Sequence, residues 1–195
     1  MSTDRKSTHD GDADHVGKVS SRRVYTGRIV NLDIDTVRFP NGKTGELEMI
    51  RHSGASAIVP FLSDPRGDDP QIMLIRQYRY AADGFIYEVP AGRLDEGEDP
   101  KTCAVRELRE ETGCTAIDVE LLFTMYTTPG FTDERIHVFM ATGLTNGETA
   151  HESDEFMTVE TVTLSHALEL IKKGEIMDAK TALAILYTAG FRAGR

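Results

Sequence analysis

Cysteine is scarce in this chain of 195 residues, which holds only Cys103 and Cys114. Two cysteines make no disulfide framework, and these lie on or beside one short helical stretch, far apart along its axis, so both are read as reduced thiols. Long apolar runs are missing as well. No segment is long and apolar enough to span a bilayer, and the first residues lack the hydrophobic run of a secretion signal, so a cytoplasmic location is expected. Positive charge is the third shortage: 22 Lys and Arg face 32 Asp and Glu, for a formal net charge of −10. Such a surface suits neither a nucleic-acid backbone nor an anionic membrane as main partner. Phosphates can still be bound through a metal ion.

What is present is enough apolar residue, 39%, for one sizeable core, and one stretch dense in charge. Residues 92–114 read GRLDEGEDPKTCAVRELREETGC. Asp99 suits an N-cap, Pro100 the first helical position and Gly113 a left-handed closing residue, so a helix is expected from about Pro100 to Thr112. At 100° per residue Glu107, Glu110 and Glu111 share one face, and Ala104, Val105 and Leu108 share another, expected to be core. Like charges three and four apart destabilise an isolated helix, so this acidic face calls for an external cation. Hard oxygen donors on a rigid element suit Mg²⁺, with Mn²⁺ as a substitute, bridging carboxylates to substrate phosphates. For an arbitrary glutamate-rich helix a solvated face would be the ordinary outcome. The spacing around this one argues otherwise.

That spacing runs Gly92, five residues, Glu98, seven residues, Arg106-Glu107-Leu108, one residue, Glu110-Glu111, one residue and Gly113, then an apolar position. It resembles the Nudix hydrolase box at every defining position. Cys114 departs only in size from the larger aliphatic residue usual there; a buried Cys behaves as a small hydrophobe. The resemblance covers the chain from about Val24 onward. It implies an α/β/α sandwich around a mixed β-sheet, with Glu107 and Glu111 as main metal ligands, Glu110 as a further ligand or water-holder, and the Ala91 carbonyl as a contributor. Glu98 is expected to pair with Arg106 and so orient the helix against its loop.

Along the rest of the chain, residues 1–21 are polar, with almost nothing to bury, and read as a disordered tail. Residues 22–52 alternate on either side of Asn41-Gly42, a hairpin signal, and form an N-terminal antiparallel β unit. Such a unit has too little core to stand alone. Proteins of the resembling family often dimerise through a sheet of this kind, which implies a homodimer. Residues 53–195 form the Nudix domain. Within it ASAIVPFL and IMLIRQYRY read as central strands, GFIYEVPAGRL leads a strand into the box, and IDVELLFTMYTT and RIHVFMATGL follow as strands. FMTVETVTL reads as a further strand before two closing helices. Ser165 and Asp178 are their expected caps, Gly174 and Gly190 their ends, and Leu168, Ile171, Leu183 and Leu186 their core contacts.

Arg51, Arg76 and Arg79 end or interrupt apolar strands, where guanidinium groups need anionic partners: substrate phosphate, or ordinary ion pairs in an acidic protein. The family comparison favours Arg79. Pro129 lies fifteen residues beyond Cys114 in the context TTPGFTDE, which resembles the loop of family members that hydrolyse ADP-ribose, with Phe131 at its base. The acidic stretch holding Glu148, Glu152, Asp154 and Glu155 is a loop; in the resembling enzymes a glutamate from this loop is the general base, and both Glu152 and Glu155 qualify. The expected reaction is metal-dependent hydrolysis of ADP-ribose to AMP and ribose 5-phosphate. Hydrolysis of another nucleoside diphosphate sugar, such as GDP-mannose, is the nearest alternative, and a non-catalytic nucleotide sensor the next.

Overall fold

The computed structural model describes residues 15–147 and 156–191, which fall into two compact units. The first holds the residues up to His52 together with Gly130–Asp133; the second holds Ser53–Pro129 and the residues from Glu134 onward.

The first unit is an antiparallel sheet of β1 (Gly17–Thr26), β2 (Asn31–Arg38) and β3 (Thr44–Arg51), in that order. β2 and β3 are joined by the expected Asn41-Gly42 turn. Gly42 has φ 78°, its N–H donates to the Phe39 carbonyl at 2.9 Å, and the Asn41 side chain accepts from the Lys43 N–H. Ile50 bridges in parallel to Thr132 and donates to the Phe131 carbonyl at 2.7 Å, which ties residues 130–133 to this sheet. The sheet begins earlier than its sequence promised. Gly17 to Ser21, read as the end of a disordered tail, are paired with β2 from Arg38 to Asp35. The reason lies in β2, whose open backbone edge supplies a ladder that no side chain of this polar stretch announces.

The second unit has helices on both faces of its sheets. β4 (Ala55–Pro60), β5 (Gln71–Arg79), β6 (Gly84–Glu88) and β7 (Ala91–Arg93) precede α1 (Pro100–Thr112). A two-residue β8 (Cys114–Thr115), β9 (Asp118–Tyr126), β10 (Arg135–Thr142), a two-residue β11 (Thr145–Asn146) and β12 (Met157–Thr163) follow, then α2 (Leu164–Lys172) and α3 (Ala179–Phe191). One sheet runs β7-β4-β10-β9, with β4 and β10 parallel and the other pairs antiparallel; a second runs β12-β5-β6. Strand alternation sorts the core into two layers. Ala57, Val59, Ile72, Leu74, Ile136 and Val138 pack with Leu164, Ala167, Leu170, Ala184 and Ile185 of the terminal helices. Ile58, Met73, Phe139 and Ala141 pack with Ala104 and Leu108 of α1, and Cys114 joins them, filling the small apolar place assigned to it. β4 is buried on both faces, as its unbroken apolar run requires.

The terminal helices differ from expectation in their details. α2 is capped by Thr163, whose hydroxyl accepts from the His166 N–H at 3.2 Å, while the Ser165 hydroxyl donates to Asp69 at 2.8 Å. Gly190 lies inside α3 rather than at its end. Leu183 and Leu186 are exposed, and the buried face of α3 carries Thr181, Ala184, Ile185 and Thr188 instead. Thr188 satisfies its hydroxyl on the Ala184 carbonyl at 2.7 Å, so a residue type that looks polar is cheap to bury here.

Candidate active site

The box helix forms as its sequence dictates. The Asp99 carboxylate accepts from Lys101 and Thr102 N–H groups at 3.0 and 3.2 Å, Pro100 opens the helix, and Gly113, at φ 74°, donates to the Arg109 carbonyl. Its buried residues are Cys103, Ala104, Leu108, Glu111 and Thr112. Val105, expected in the core, points outward, and Cys103 takes that place. Burial pushes the Cys103 thiol up to about 11, so it stays protonated, and its Sγ lies 3.6 Å from the Gly92 and Arg93 carbonyl oxygens.

The loop before the helix is fastened to it by Arg106. The guanidinium donates to Glu98 through Nε at 2.9 Å and Nη2 at 3.0 Å, and Nη2 also reaches the Arg93 carbonyl at 3.2 Å. Arg106 holds the Glu98 carboxyl down at about 2, the largest cause being the hydrogen bond itself. Glu98 also accepts from the Asp95 N–H at 3.0 Å, closing the loop on itself. Ser56 adds a hydrogen bond from its hydroxyl to the Pro100 carbonyl at 2.7 Å. The expected Glu98–Arg106 pair is therefore in place, and Arg106 does more than expected. Its Nη1 also touches Glu107 at 2.5 Å and Glu110 at 3.1 Å.

The three box carboxylates sit at graded depth. The Glu111 residue is 3% exposed and accepts from the Ala91 N–H at 3.0 Å. Glu107 lies over Gly92 so closely that a Cβ there would stand 1.9 Å from its Oε1. Only glycine leaves that space. Glu110 is the most open of the three. Among the described residues no three His, Cys, Asp or Glu side chains form a ready metal-holding group. Even so, the donors fit a hard divalent cation by their chemistry. They are oxygens on one helix face, with the Glu107 carboxylate seated directly against Gly92.

β5 separates the candidate arginines. Its ladder to β6 runs without a register shift, so Arg76 and Arg79 leave on opposite faces. Arg76 lies over the Phe85 ring, 5.4 Å from its centroid. Arg79 meets Glu88, with Nε to Oε1 at 2.6 Å and Nη2 to Oε2 at 3.0 Å, and Lys180 Nζ reaches Glu88 Oε2 at 2.5 Å. The charge of Glu111 helps to hold Arg79 above its ordinary value, after the larger effect of Glu88. Glu88 and Lys180 carried no signal in the sequence; 92 residues separate them. Arg51 finds its anions inside the first unit, in Asp33 at 3.0 Å, Asp35, and Asp133 at 3.2 Å. Those aspartates answer the need for anionic partners that made Arg51 a phosphate candidate. Phe131 belongs to that unit too, and Pro129 is an exposed turn residue of the second. Glu148, Glu152, Asp154 and Glu155 lie outside the described residues.

A profile of the NUDIX domain matches residues 52–182. The chain belongs to this family. An ADP-ribose pyrophosphatase of Bacillus subtilis is 40% identical over 171 residues, covering 87% of this chain and 90% of that one. A methanol dehydrogenase activator of Bacillus methanolicus matches at the same identity and coverage. An ADP-ribose pyrophosphatase of Mycobacterium tuberculosis is 36% identical over 180 residues, 89% of this chain and 84% of that one. The crystal structure of an ADP compounds hydrolase superposes with a TM-score of 0.77 at 22% identity, covering 90% of this chain and 93% of the other. That likeness establishes the Nudix fold, the α/β/α arrangement with its mixed sheet. The matched range contains the whole box, from Gly92 to Gly113.

Proposed function

We propose that this Nudix protein hydrolyses the diphosphate bond of ADP-ribose, giving AMP and ribose 5-phosphate, with Mg²⁺ as its metal and Mn²⁺ as a substitute. The observation that carries this is the acidic face of α1, with Glu107 seated against Gly92, Glu111 on the Ala91 N–H and Glu110 beside them, in a chain 40% and 36% identical to enzymes named ADP-ribose pyrophosphatase. Those three carboxylates and the Ala91 carbonyl would hold the cation. When bound, it neutralises charge on the bridging phosphates and lowers the pKa of an attached water. Glu98 and Arg106 keep loop and helix in register, Arg79 meets the diphosphate, and Pro129 shapes the substrate loop. Glu152 or Glu155 takes the proton from the attacking water.

Two further parts of the proposal concern setting. The thiols of Cys103 and Cys114 are buried and unpaired, which suits a reducing compartment, and we assign the activity to the cytoplasm. No helix among the described residues is long and apolar enough to cross a membrane. The functional form is a homodimer built on the N-terminal sheet, supported by Val19, Val24 and Tyr25, exposed along β1.

A second reading is hydrolysis of GDP-sugars, favoured by a GDP-mannose pyrophosphatase of Salmonella that is 37% identical over 186 residues. Initial rates on ADP-ribose, ADP-glucose, GDP-mannose and diadenosine phosphates with Mg²⁺ separate the two. ADP-ribose should give the highest kcat/KM, and faster turnover of GDP-mannose would overturn the substrate assignment. Glu111→Gln keeps an acceptor for the Ala91 N–H and should fold, yet lower kcat by about 100-fold or more. Undiminished turnover would remove Glu111 from the metal site.

A further inference from the structure

The Arg79 assignment leaves one feature of its surroundings unexplained. Glu88 is a buried carboxylate, its side chain 3% exposed, and it carries two cations rather than one. Arg79 binds it through Nε and Nη2, and Lys180 through Nζ. A single arginine in this two-pronged geometry already satisfies a carboxylate. Lys180 is itself well buried and is held from its other side by Asp178 Oδ2 at 3.0 Å. Asp178 in turn caps the start of α3, accepting from the Thr181 N–H at 2.9 Å and hydroxyl at 2.6 Å. The Thr181 hydroxyl oxygen accepts from the Val89 N–H at 2.9 Å. These bonds join the end of β6, which leads to Ala91 and Gly92, to the first turn of the C-terminal helix.

Burial works to raise the Glu88 pKa, and Arg79 and Lys180 together outweigh it, so the group stays ionised. If Arg79 were the only counter-ion, moving any of its charge toward a substrate phosphate would strand a buried carboxylate. With Lys180 present that conflict disappears. The Arg79 side chain is 42% exposed, so it remains partly within reach of an incoming anion while it binds Glu88.

We infer that Lys180 is a positioning residue for substrate binding. By sharing Glu88 with Arg79 it lets the guanidinium engage a diphosphate without leaving Glu88 unbalanced. The inference rests on Arg79 meeting the diphosphate, and it assigns to α3 a part in binding that lies outside the box.

The test is steady-state kinetics of the full chain on ADP-ribose, GDP-mannose and ADP-glucose with Mg²⁺, alongside thermal melts. Lys180→Met should raise KM about ten-fold on the best substrate while kcat stays within about three-fold, and Lys180→Arg should return KM to within about two-fold of the parent. Arg79→Gln should raise KM by more, about thirty-fold, and adding Lys180→Met to it should change KM little, because the two act on one contact. Independent effects in the double variant would overturn the inference. So would a Lys180→Met protein with lowered Tm and unchanged KM, since that is the mark of a purely structural ion pair. An unchanged KM in Arg79→Gln would instead bring down the placement of Arg79 on the diphosphate. If Lys180→Met does not fold, Lys180→Gln, which can still hydrogen-bond Glu88, carries the same comparison.

Discussion

Gly92 shows how much one missing side chain can decide. A Cβ there would stand 1.9 Å from Glu107 Oε1 and 2.1 Å from its Cδ, so the carboxylate must move. The obstructing atoms are the far end of a flexible side chain, and the backbone need not shift. Gly92→Ala should therefore keep Tm within a few degrees while lowering kcat by about 100-fold, as displacement of a metal ligand would. A folded Gly92→Ala protein with full activity would show that Glu107 need not occupy this space. Glu98 offers a different kind of test. Its pKa lies at about 2, depressed from 4.5, so the stability it contributes is fully present above pH 4.5 and is lost as pH falls toward 2. Urea unfolding of the parent and Glu98→Gln should differ by about 1–3 kcal/mol at pH 7, with the gap narrowing between pH 4.5 and 3. A gap independent of pH would mean that the pair with Arg106 does not depress this carboxyl. The roles of Glu98 and Arg106 were readable because both lie inside a fixed spacing. Glu88 and Lys180 were not, because only the fold brings them together.

At the scale of elements, legibility followed the range of the forces. α1 was readable to its ends because Asp99, Pro100 and Gly113 act locally on their own backbone. β4 and the Asn41-Gly42 hairpin were readable for the same reason. The start of β1 was not, since its pairing depends on β2, and neither was the face of α3, where burial does not follow hydrophobicity. Thr181 is buried with its hydroxyl both accepting from Val89 and donating to Asp178, while Leu183 is 42% exposed. This reverses the usual ranking of the two substitutions. Thr181→Val keeps the shape and strands the Val89 N–H, and should cost about 1–3 kcal/mol. Leu183→Ser should cost less than about 1 kcal/mol, because little surface is returned to water. Chemical denaturation of both variants checks the order, and a costlier Leu183→Ser would restore the leucine to the core.

For the whole molecule the unresolved balance lies in the first unit. Among its described residues the buried side chains are Asp33, Asp35 and Thr132, and no hydrophobic residue is buried. At its centre Arg51 binds Asp33, Asp35 and Asp133, and Arg23 also binds Asp33. Ion pairs of this kind roughly offset their own desolvation and supply little net stability. Meanwhile Val19, Val24, Tyr25 and Leu47 stay exposed. A three-stranded sheet of this composition needs an apolar surface to cover it, and in the proposed homodimer a second copy of the chain would provide one. Sedimentation equilibrium at micromolar concentration should then give about twice the 21.6 kDa of one chain. Because unfolding would be coupled to dissociation, Tm should rise with protein concentration. Val19→Lys combined with Val24→Lys should shift the species toward monomer and lower Tm, since charge at these two exposed positions opposes their burial and neither belongs to the aspartate–arginine network. A parent protein that sediments as a monomer, with Tm independent of concentration, would show that this sheet is stable uncovered.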